Sequence, residues 1–254
     1  MTKIPAQLLW NARVNKTQIV HDFDGYPTSE IEAYNVQTEM IAASGLDVVG
    51  WKIGATVEEL FPVLGVTQPF LGPLFKPYTY DSGTAIKAIP STKIETEIAV
   101  RLKSDLPTRE APYSRTEIEA AVQSIHPSFE IIEVRFDGEL TGAGFRAIAD
   151  GGLNGSVVLG PEIINWADYD LANYPVSLAV NGNVVCEGNF SVLLWDHVFD
   201  ALSWSLAQPI LSQRGFLTND IIMTGTSTGM IPVSPGDQVV ADFGKMGDVR
   251  THFI

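Results

Sequence analysis

The chain has little cysteine, little histidine and little positive charge, and each shortage excludes a class of function. One cysteine, Cys186, occurs in 254 residues, which excludes an intrachain disulfide framework and a cysteine-rich zinc site. The four histidines are scattered, so no histidine pattern favours zinc either. The chain has 16 Lys and Arg against 30 Asp and Glu, which gives a net charge of -14. A surface with this charge argues against nucleic acid and anionic membranes as partners.

Long apolar runs are also missing. No segment reaches transmembrane length, and the N-terminal "MTKIPAQLLWNARVNK" lacks the uninterrupted apolar stretch of a signal peptide. We therefore expect a cytoplasmic protein that does not bind membranes.

The composition predicts one folded domain with a sizeable core, because 45% of the residues are hydrophobic and only 18% are charged. We expect a single domain over 1–254, with a mostly helical part at 1–50 and a β-rich body at 51–254. Helices that precede and interrupt strands indicate an α+β fold with a rolled or barrel-like sheet.

Local signals place several elements. A helix is predicted over 27–45, with Thr28 or Ser29 as the N-cap and Gly45 as the stop. Its predicted inner face carries Ile31, Tyr34 and Ile41. A second helix is predicted over 112–126, with a capping box from Ser114 to Glu117 and Pro127 after its end. A hairpin is predicted to turn at 181–183, and a later helix is predicted to begin near Asp196.

The segment "KIETEIAV", residues 93–100, reads as a strand that carries two glutamates two positions apart. Side chains alternate along a strand, so Glu95 and Glu97 point to one face while Ile94 and Ile98 point to the other. Neighbouring carboxylates repel unless a positive charge lies between them. The pair therefore indicates either the solvated face of an edge strand or a site for a divalent metal.

A third carboxylate, Glu130, lies on a separate predicted strand in "PSFEIIEVR". Three carboxylates from two strands, with water in the remaining positions, suit a hard octahedral cation such as Mg²⁺ or Mn²⁺. Glu133 faces the opposite side of a regular strand, and we expect it to form an ion pair with Arg135.

Together these residues resemble the 2-keto-4-pentenoate hydratase and 4-oxalocrotonate decarboxylase group of the fumarylacetoacetate hydrolase superfamily. The resemblance covers nearly the whole chain in order, through "PTSEIEAYNVQ", "VVGWKIGAT", "GVTQPFLGPLF", "KIETEIAV", "PSFEIIEVR", "HVFDALSWSL" and "NDIIMTGTSTGMIPVSPGDQVVADFGKMGDV". It implies a fumarylacetoacetate hydrolase-like mixed β-roll or barrel with flanking helices. It also implies Mg²⁺ or Mn²⁺ held by Glu95, Glu97 and Glu130, a small 2-oxo acid substrate and a homo-oligomer.

The resemblance implies roles for further residues. Lys52 matches the lysine of the family, and beside a cation we expect its pKa to be lowered so that it moves protons. The predicted substrate contacts are Phe70, Leu71, Asp150, Thr226 and Thr228. His197 matches a family histidine, for which we favour a structural role, and His126 is left without a role.

Two departures from the family pattern bear on the reaction. Phe70 stands where the hydratases carry an aspartate and the decarboxylases an apolar residue, which favours an outcome other than plain hydration. The segment "DGGLN", residues 150–154, replaces Asp-Asn-Ala-Ser-Ser and keeps only the aspartate. We expect the wall of the substrate pocket to differ accordingly in shape and polarity.

Three functions remain open from the sequence. The first is a metal-dependent lyase that acts on a 2-oxo acid through an enolate, by hydration or decarboxylation in a catabolic route for aromatic compounds. The second is a C–C hydrolase of the acylpyruvate type, which needs a base to activate water. The third is a non-catalytic partner subunit that has lost its activity. The presence of Lys52 together with the three glutamates argues against this third function.

Overall fold

Two β-sheets with short flanking helices form the body of the protein, and two longer helices lie at its N-terminal side. The computed structural model describes residues 3–19, 25–136 and 139–254. The helices are α1 (Lys3–Asn15), α2 (Glu30–Ser44), α3 (Leu60–Leu64), α4 (Arg115–Ala121), α5 (Gly144–Ala149) and α6 (Asp200–Leu206). No helix in these ranges has the length and apolar character needed to cross a bilayer.

The strands divide between a large mixed sheet and a smaller sheet. They are β1 (Val48–Gly54), β2 (Phe70–Phe75), β3 (Thr79–Asp81), β4 (Ala85–Ile86), β5 (Lys93–Leu102), β6 (Val122–Ile132), β7 (Asn154–Leu159), β8 (Val176–Val180), β9 (Asn183–Gly188), β10 (Ile221–Thr226), β11 (Ile231–Pro232), β12 (Gln238–Asp242) and β13 (Asp248–Phe253). The large sheet has the order β2-β1-β10-β5-β6-β7-β3, and β11 also pairs with β5. The smaller sheet has the order β4-β13-β12-β8-β9.

The predicted caps of α2 are confirmed. Ser29 is the N-cap and its hydroxyl accepts a hydrogen bond from the amide of Glu32, while Gly45 ends the helix at φ 62°. Of the three residues predicted to face inward, Tyr34 and Ile41 are half-buried and pack against the second apolar cluster. Ile31 does not face inward, because its side chain is 76% exposed. The helix instead buries residues spaced three and four apart, namely Ala33, Val36, Gln37 and Met40.

The capping box of α4 is confirmed, but the predicted length of this helix is wrong. Ser114 and Glu117 make the reciprocal hydrogen bonds, and the helix ends at Ala121. Residues 122–126, which were expected to be helical, lie in the first half of β6, which pairs with β5. The helix predicted from about Asp196 begins later, at Asp200.

The predicted hairpin is confirmed as β8 and β9. Asn181 and Gly182 have φ values of 52° and 79°, the left-handed backbone that a two-residue hairpin turn requires. The smaller sheet that contains this hairpin packs its apolar side chains into the main core.

Two apolar clusters hold the site between them. The main cluster contains Ile94 and Ile98 of β5 together with side chains of the smaller sheet. The second contains α1, α2 and α5 side chains and also Phe70 of β2. Because β5 and β6 pair over almost their full lengths in the middle of the large sheet, the positions of their side chains are fixed by sheet register.

Candidate metal centre

Three glutamates converge on one face of the large sheet. Glu95 of β5 lies directly opposite Glu130 of β6, and Glu97 lies opposite Ser128 on the same face. One carboxylate oxygen from each glutamate lies within 4.8 Å of the others, and all three residues are buried. The edge-strand interpretation of the Glu95 and Glu97 pair is therefore wrong, since β5 is a central strand.

Burial makes this cluster costly without a cation. Removal from water raises the pKa of Glu95 to about 7, and the charge of Glu130 acts in the same direction. The pKa of Glu97 is raised well above its usual range, first by burial and then by the charges of Glu130 and Glu95. A positive charge at the centre of the cluster would remove this repulsion.

Glu97 has one oxygen held by the protein and one left free. Its Oε2 accepts a hydrogen bond of 2.8 Å from the amide of Gly225, whereas its buried Oε1 has no hydrogen-bond partner. Gly225 has φ 112°, and a Cβ atom there would lie 2.3 Å from the Thr56 hydroxyl oxygen. Glycine at 225 therefore allows the backbone amide to reach the carboxylate.

Lys52 of β1 is the buried cation that faces the cluster. Its Nζ lies 3.2 Å from Glu130 Oε2 and donates a hydrogen bond of 2.9 Å to the carbonyl of Gly152. Burial alone would lower the pKa of Lys52, but the charges of Glu130, Glu95 and Glu97 outweigh it and raise the pKa. The expected lowering presupposes a cation among the carboxylates, and without one the direction is reversed.

The donor set fits a hard divalent cation. Three carboxylates supply anionic oxygen ligands without nitrogen or sulfur, which is the set that Mg²⁺ and Mn²⁺ prefer. The unpartnered Oε1 of Glu97 is a buried acceptor that needs such a partner. Glu95, Glu97 and Glu130 are the residues that would hold the ion.

A cavity opens beside the carboxylates. Glu95, Glu97, Lys52 and Thr226 line its polar end. The rest of the wall is mainly apolar and includes Ile53, Ala55, Leu60, Val63, Leu64, Phe70, Ile132, Leu140, Leu153 and Met230. A small acid bound here would place its charged end at the carboxylates and its carbon chain against hydrocarbon.

Phe70 lines the cavity and belongs to the second apolar cluster. It is buried, and Lys52 Nζ lies 5.7 Å from the centre of its ring. A Cβ atom at Gly54 would come 2.5 Å from the ring, so glycine at 54 leaves the space that the ring fills. The sequence placed Phe70 in the pocket wall, and the ring does line the cavity.

Three other predicted substrate contacts do not line this cavity. Leu71 follows Phe70 on β2, so its side chain points to the opposite face and packs in the main core. Asp150 is fully buried and accepts a hydrogen bond of 2.8 Å from Arg135 Nε. The Thr228 hydroxyl accepts a hydrogen bond from the amide of Thr96 on β5. Thr226, two residues earlier at the end of β10, does line the cavity.

Neither of the histidines singled out from the sequence lines the cavity. His126 Nδ1 lies 3.1 Å from the carbonyl oxygen of Gly160. His197 Nδ1 accepts a hydrogen bond from the amide of Phe199, just before α6, which is the kind of structural role favoured for it.

Sequence reasoning missed the buried polar residues that surround Glu130. Asn154 donates a hydrogen bond of 2.9 Å from Nδ2 to Glu130 Oε1, and Arg13 of α1 donates to the carbonyl of Asn154. The predicted ion pair between Glu133 and Arg135 is confirmed, with Nη1 and Oε2 3.3 Å apart. For Asn154 a signal existed, because it lies in the segment that departs from the family pattern; for Arg13 there was none.

Comparison with known proteins agrees with this geometry. Residues 76–254 match the family profile described as the C-terminal domain of fumarylacetoacetate (FAA) hydrolase. A 2-hydroxyhexa-2,4-dienoate hydratase from Comamonas testosteroni is 28% identical over 239 residues, which cover 91% of this chain and 89% of the hydratase. A 4-oxalocrotonate decarboxylase from a Pseudomonas species is 28% identical, and the alignment covers 98% of this chain and 95% of the decarboxylase.

A solved structure shares the fold over the whole chain. The 4-oxalocrotonate decarboxylase from Pseudomonas putida, complexed with magnesium and adipate, superposes with a TM-score of 0.86 at 26% identity. The match covers 100% of this chain and 97% of that one. The mixed sheet with few helices is thus the fumarylacetoacetate hydrolase-like fold that the sequence indicated.

Proposed function

The chain belongs to the fumarylacetoacetate hydrolase family, and we propose that within it the protein is a divalent-metal-dependent lyase acting on a 2-oxo acid. The observation that carries the proposal is the buried set of Glu95, Glu97 and Glu130 with Lys52 beside it. The decarboxylase complexed with magnesium supports metal dependence in a protein of the same fold.

We assign a separate role in the reaction to each residue at the polar end of the cavity. A divalent cation held by the three glutamates would polarise the 2-oxo group and stabilise the enolate that hydration and decarboxylation share. Thr226 offers a hydroxyl to a bound carboxylate from the cavity wall. Lys52, anchored by the Gly152 carbonyl, holds a proton at Nζ beside the carbon chain and is the group in reach to transfer it.

Phe70 and the apolar wall favour decarboxylation over hydration. Hydration needs a water molecule at the substrate carbon and a group to activate it, and an aromatic ring supplies neither. In decarboxylation, the C–C bond to the leaving carboxylate breaks and its electron pair moves through the conjugated chain to the 2-oxo oxygen. Carbon dioxide departs, Lys52 donates a proton to the dienolate that remains, and no water is consumed.

Replacing Phe70 with aspartate should raise hydration. The variant supplies an acidic group and admits water, so Phe70→Asp should hydrate 2-hydroxypenta-2,4-dienoate about tenfold or more faster than the unmodified protein. Phe70→Leu is the matched control, because it removes the aromatic ring but keeps the wall apolar. Loss of the dienoate's ultraviolet absorbance, followed with and without added Mg²⁺, measures the rate.

The same assay on 4-oxalocrotonate gives the other half of the test. The unmodified protein with Mg²⁺ should decarboxylate this acid faster than it hydrates the dienoate, and both reactions should stop when the metal is chelated. Fast hydration by the unmodified protein would refute the role given to Phe70. Equal activity in EDTA would refute metal dependence.

The alternatives from the sequence are weaker on this geometry. A C–C hydrolase needs a base that activates water, and no histidine among the described residues lines the cavity. A lapsed, non-catalytic subunit has no need to keep three buried carboxylates and a buried lysine together, because each unpaired charge costs stability.

Three finer expectations remain proposals. The ion is Mg²⁺ or Mn²⁺, because both suit an all-oxygen site. The protein is a homo-oligomer, as the resemblance to the hydratase and decarboxylase group implies, and we place it in the cytoplasm. Metal analysis of the purified protein and its mass in solution would test the first two.

A further inference from the structure

Asn154 stands between the candidate metal centre and a buried cluster of charges. It is the first residue of β7 and follows a turn, Gly151 to Leu153, in which all three residues have φ between 64° and 71°. In that turn the carbonyl of Gly152 faces Lys52, and a Cβ atom at Gly152 would come 2.9 Å from Lys52 Cδ. The turn therefore delivers Asn154 to the side of Glu130 away from the lysine.

The two oxygens of Glu130 have different partners. Oε1 accepts the hydrogen bond from Asn154 Nδ2 at 2.9 Å, and Oε2 lies 3.2 Å from Lys52 Nζ without a hydrogen bond of good geometry. The arrangement matches that of Glu97, whose Oε2 is held by Gly225 while Oε1 is free. In each carboxylate one oxygen accepts a hydrogen bond from an N–H group, and the other has no hydrogen-bond partner.

The backbone of Asn154 is itself held in place by two arginines. Its carbonyl accepts hydrogen bonds from Arg135 Nη2, at 2.8 Å, and from Arg13 Nη2. Arg135 is fixed in turn by Asp150 and Glu133, so the strand end is tied to a buried ionic network. These contacts are to the backbone, so they do not depend on the side chain at 154.

We propose that Asn154 is a positioning residue for Glu130, an inference that rests on the proposed metal site. The amide anchors Oε1 and turns Oε2 toward the cation, as outer hydrogen bonds do for metal ligands generally. Without the donor, the terminal torsion of glutamate is soft, and the carboxylate is free to turn both oxygens to Lys52. Glu130 would then be paired with the lysine instead of ligating.

The test is titration calorimetry of the metal-free protein with Mn²⁺. Asn154→Ala should weaken Mn²⁺ binding about 10–100-fold, the usual cost of losing an outer partner of a metal ligand. Asn154→Ser, which keeps a shorter donor, should fall between the alanine variant and the unmodified protein. Ser156→Ala is the control: Ser156 is buried on β7 two residues after Asn154, and its hydroxyl has no hydrogen-bond partner.

Melting temperature in EDTA separates positioning from folding, because a positioning role predicts metal-free variants that melt close to the unmodified protein. If Asn154→Ala does not fold, Asn154→Ser decides by the same criterion. Unchanged Mn²⁺ affinity in the folded Asn154 variant, or an equal loss in Ser156→Ala, would overturn the inference and leave the proposed function standing. Failure of the unmodified protein to bind Mn²⁺ would overturn both.

Discussion

Exchange of Glu97 for glutamine is expected to remove or severely weaken binding of the divalent cation. Glutamine keeps the shape but replaces the unpartnered Oε1 charge with a neutral amide, and Oε1 is the atom best placed to ligate. The loss of Mn²⁺ affinity in calorimetry should exceed the roughly 10–100-fold cost of losing an outer partner. Activity that depends on the metal should be lost in parallel.

The same exchange should not lower the thermal stability of the metal-free protein. Burial and the neighbouring charges of Glu130 and Glu95 raise the pKa of Glu97, which means that its ionised form is disfavoured there. A neutral side chain relieves that repulsion, so the variant should melt no lower than the unmodified protein in EDTA. Glu162→Gln, on an exposed carboxylate far along the chain, is the control; unchanged affinity in Glu97→Gln would contradict the assignment.

Replacement of Lys52 by methionine is expected to lower kcat by roughly 10²–10⁴, the usual contribution of a positioned proton-transfer group. The stem of methionine preserves much of the packing against Phe70 and Gly152, whereas the proton at Nζ is lost. Metal binding should persist, because removing a positive charge 3.2 Å from Glu130 does not remove a ligand.

The measurement for Lys52 is steady-state kinetics on the preferred substrate at saturating Mg²⁺. Melting temperature under the same conditions should stay close to that of the unmodified protein. Lys76→Met serves as the control, since Lys76 is exposed and outside the cavity. A Lys52→Met protein with normal kcat would show that this lysine only neutralises the cluster.

The sequence predicted the features that depend on local chemistry. Caps such as Ser29 and Ser114, and the turn at Asn181 and Gly182, are set by hydrogen bonds within a few residues. The convergence of Glu95 and Glu97 follows from the two-residue period of a strand. Glu130 was predicted to join them from the family resemblance, and the register of β5 against β6 places it opposite Glu95.

The sequence failed where tertiary contacts override local preference. Residues 122–126 continue a helical pattern, yet they pair with β5 as part of β6. Asp150 was expected in the pocket wall, but the buried guanidinium of Arg135 holds it in an ion pair that no local pattern reveals. Asn154 was noted only as a departure from the family pattern, because its contact with Glu130 joins residues 24 positions apart.

Anomalous diffraction at the manganese edge, from crystals grown with Mn²⁺ and oxalate, tests the central claim most directly. Oxalate carries the two adjacent oxygens of a 2-oxo acid in a stable form. We expect an anomalous peak bonded to oxygens of Glu95, Glu97 and Glu130, with oxalate on its open side facing Lys52 and Phe70. A peak elsewhere, or no peak between these three glutamates at saturating Mn²⁺, would contradict the account.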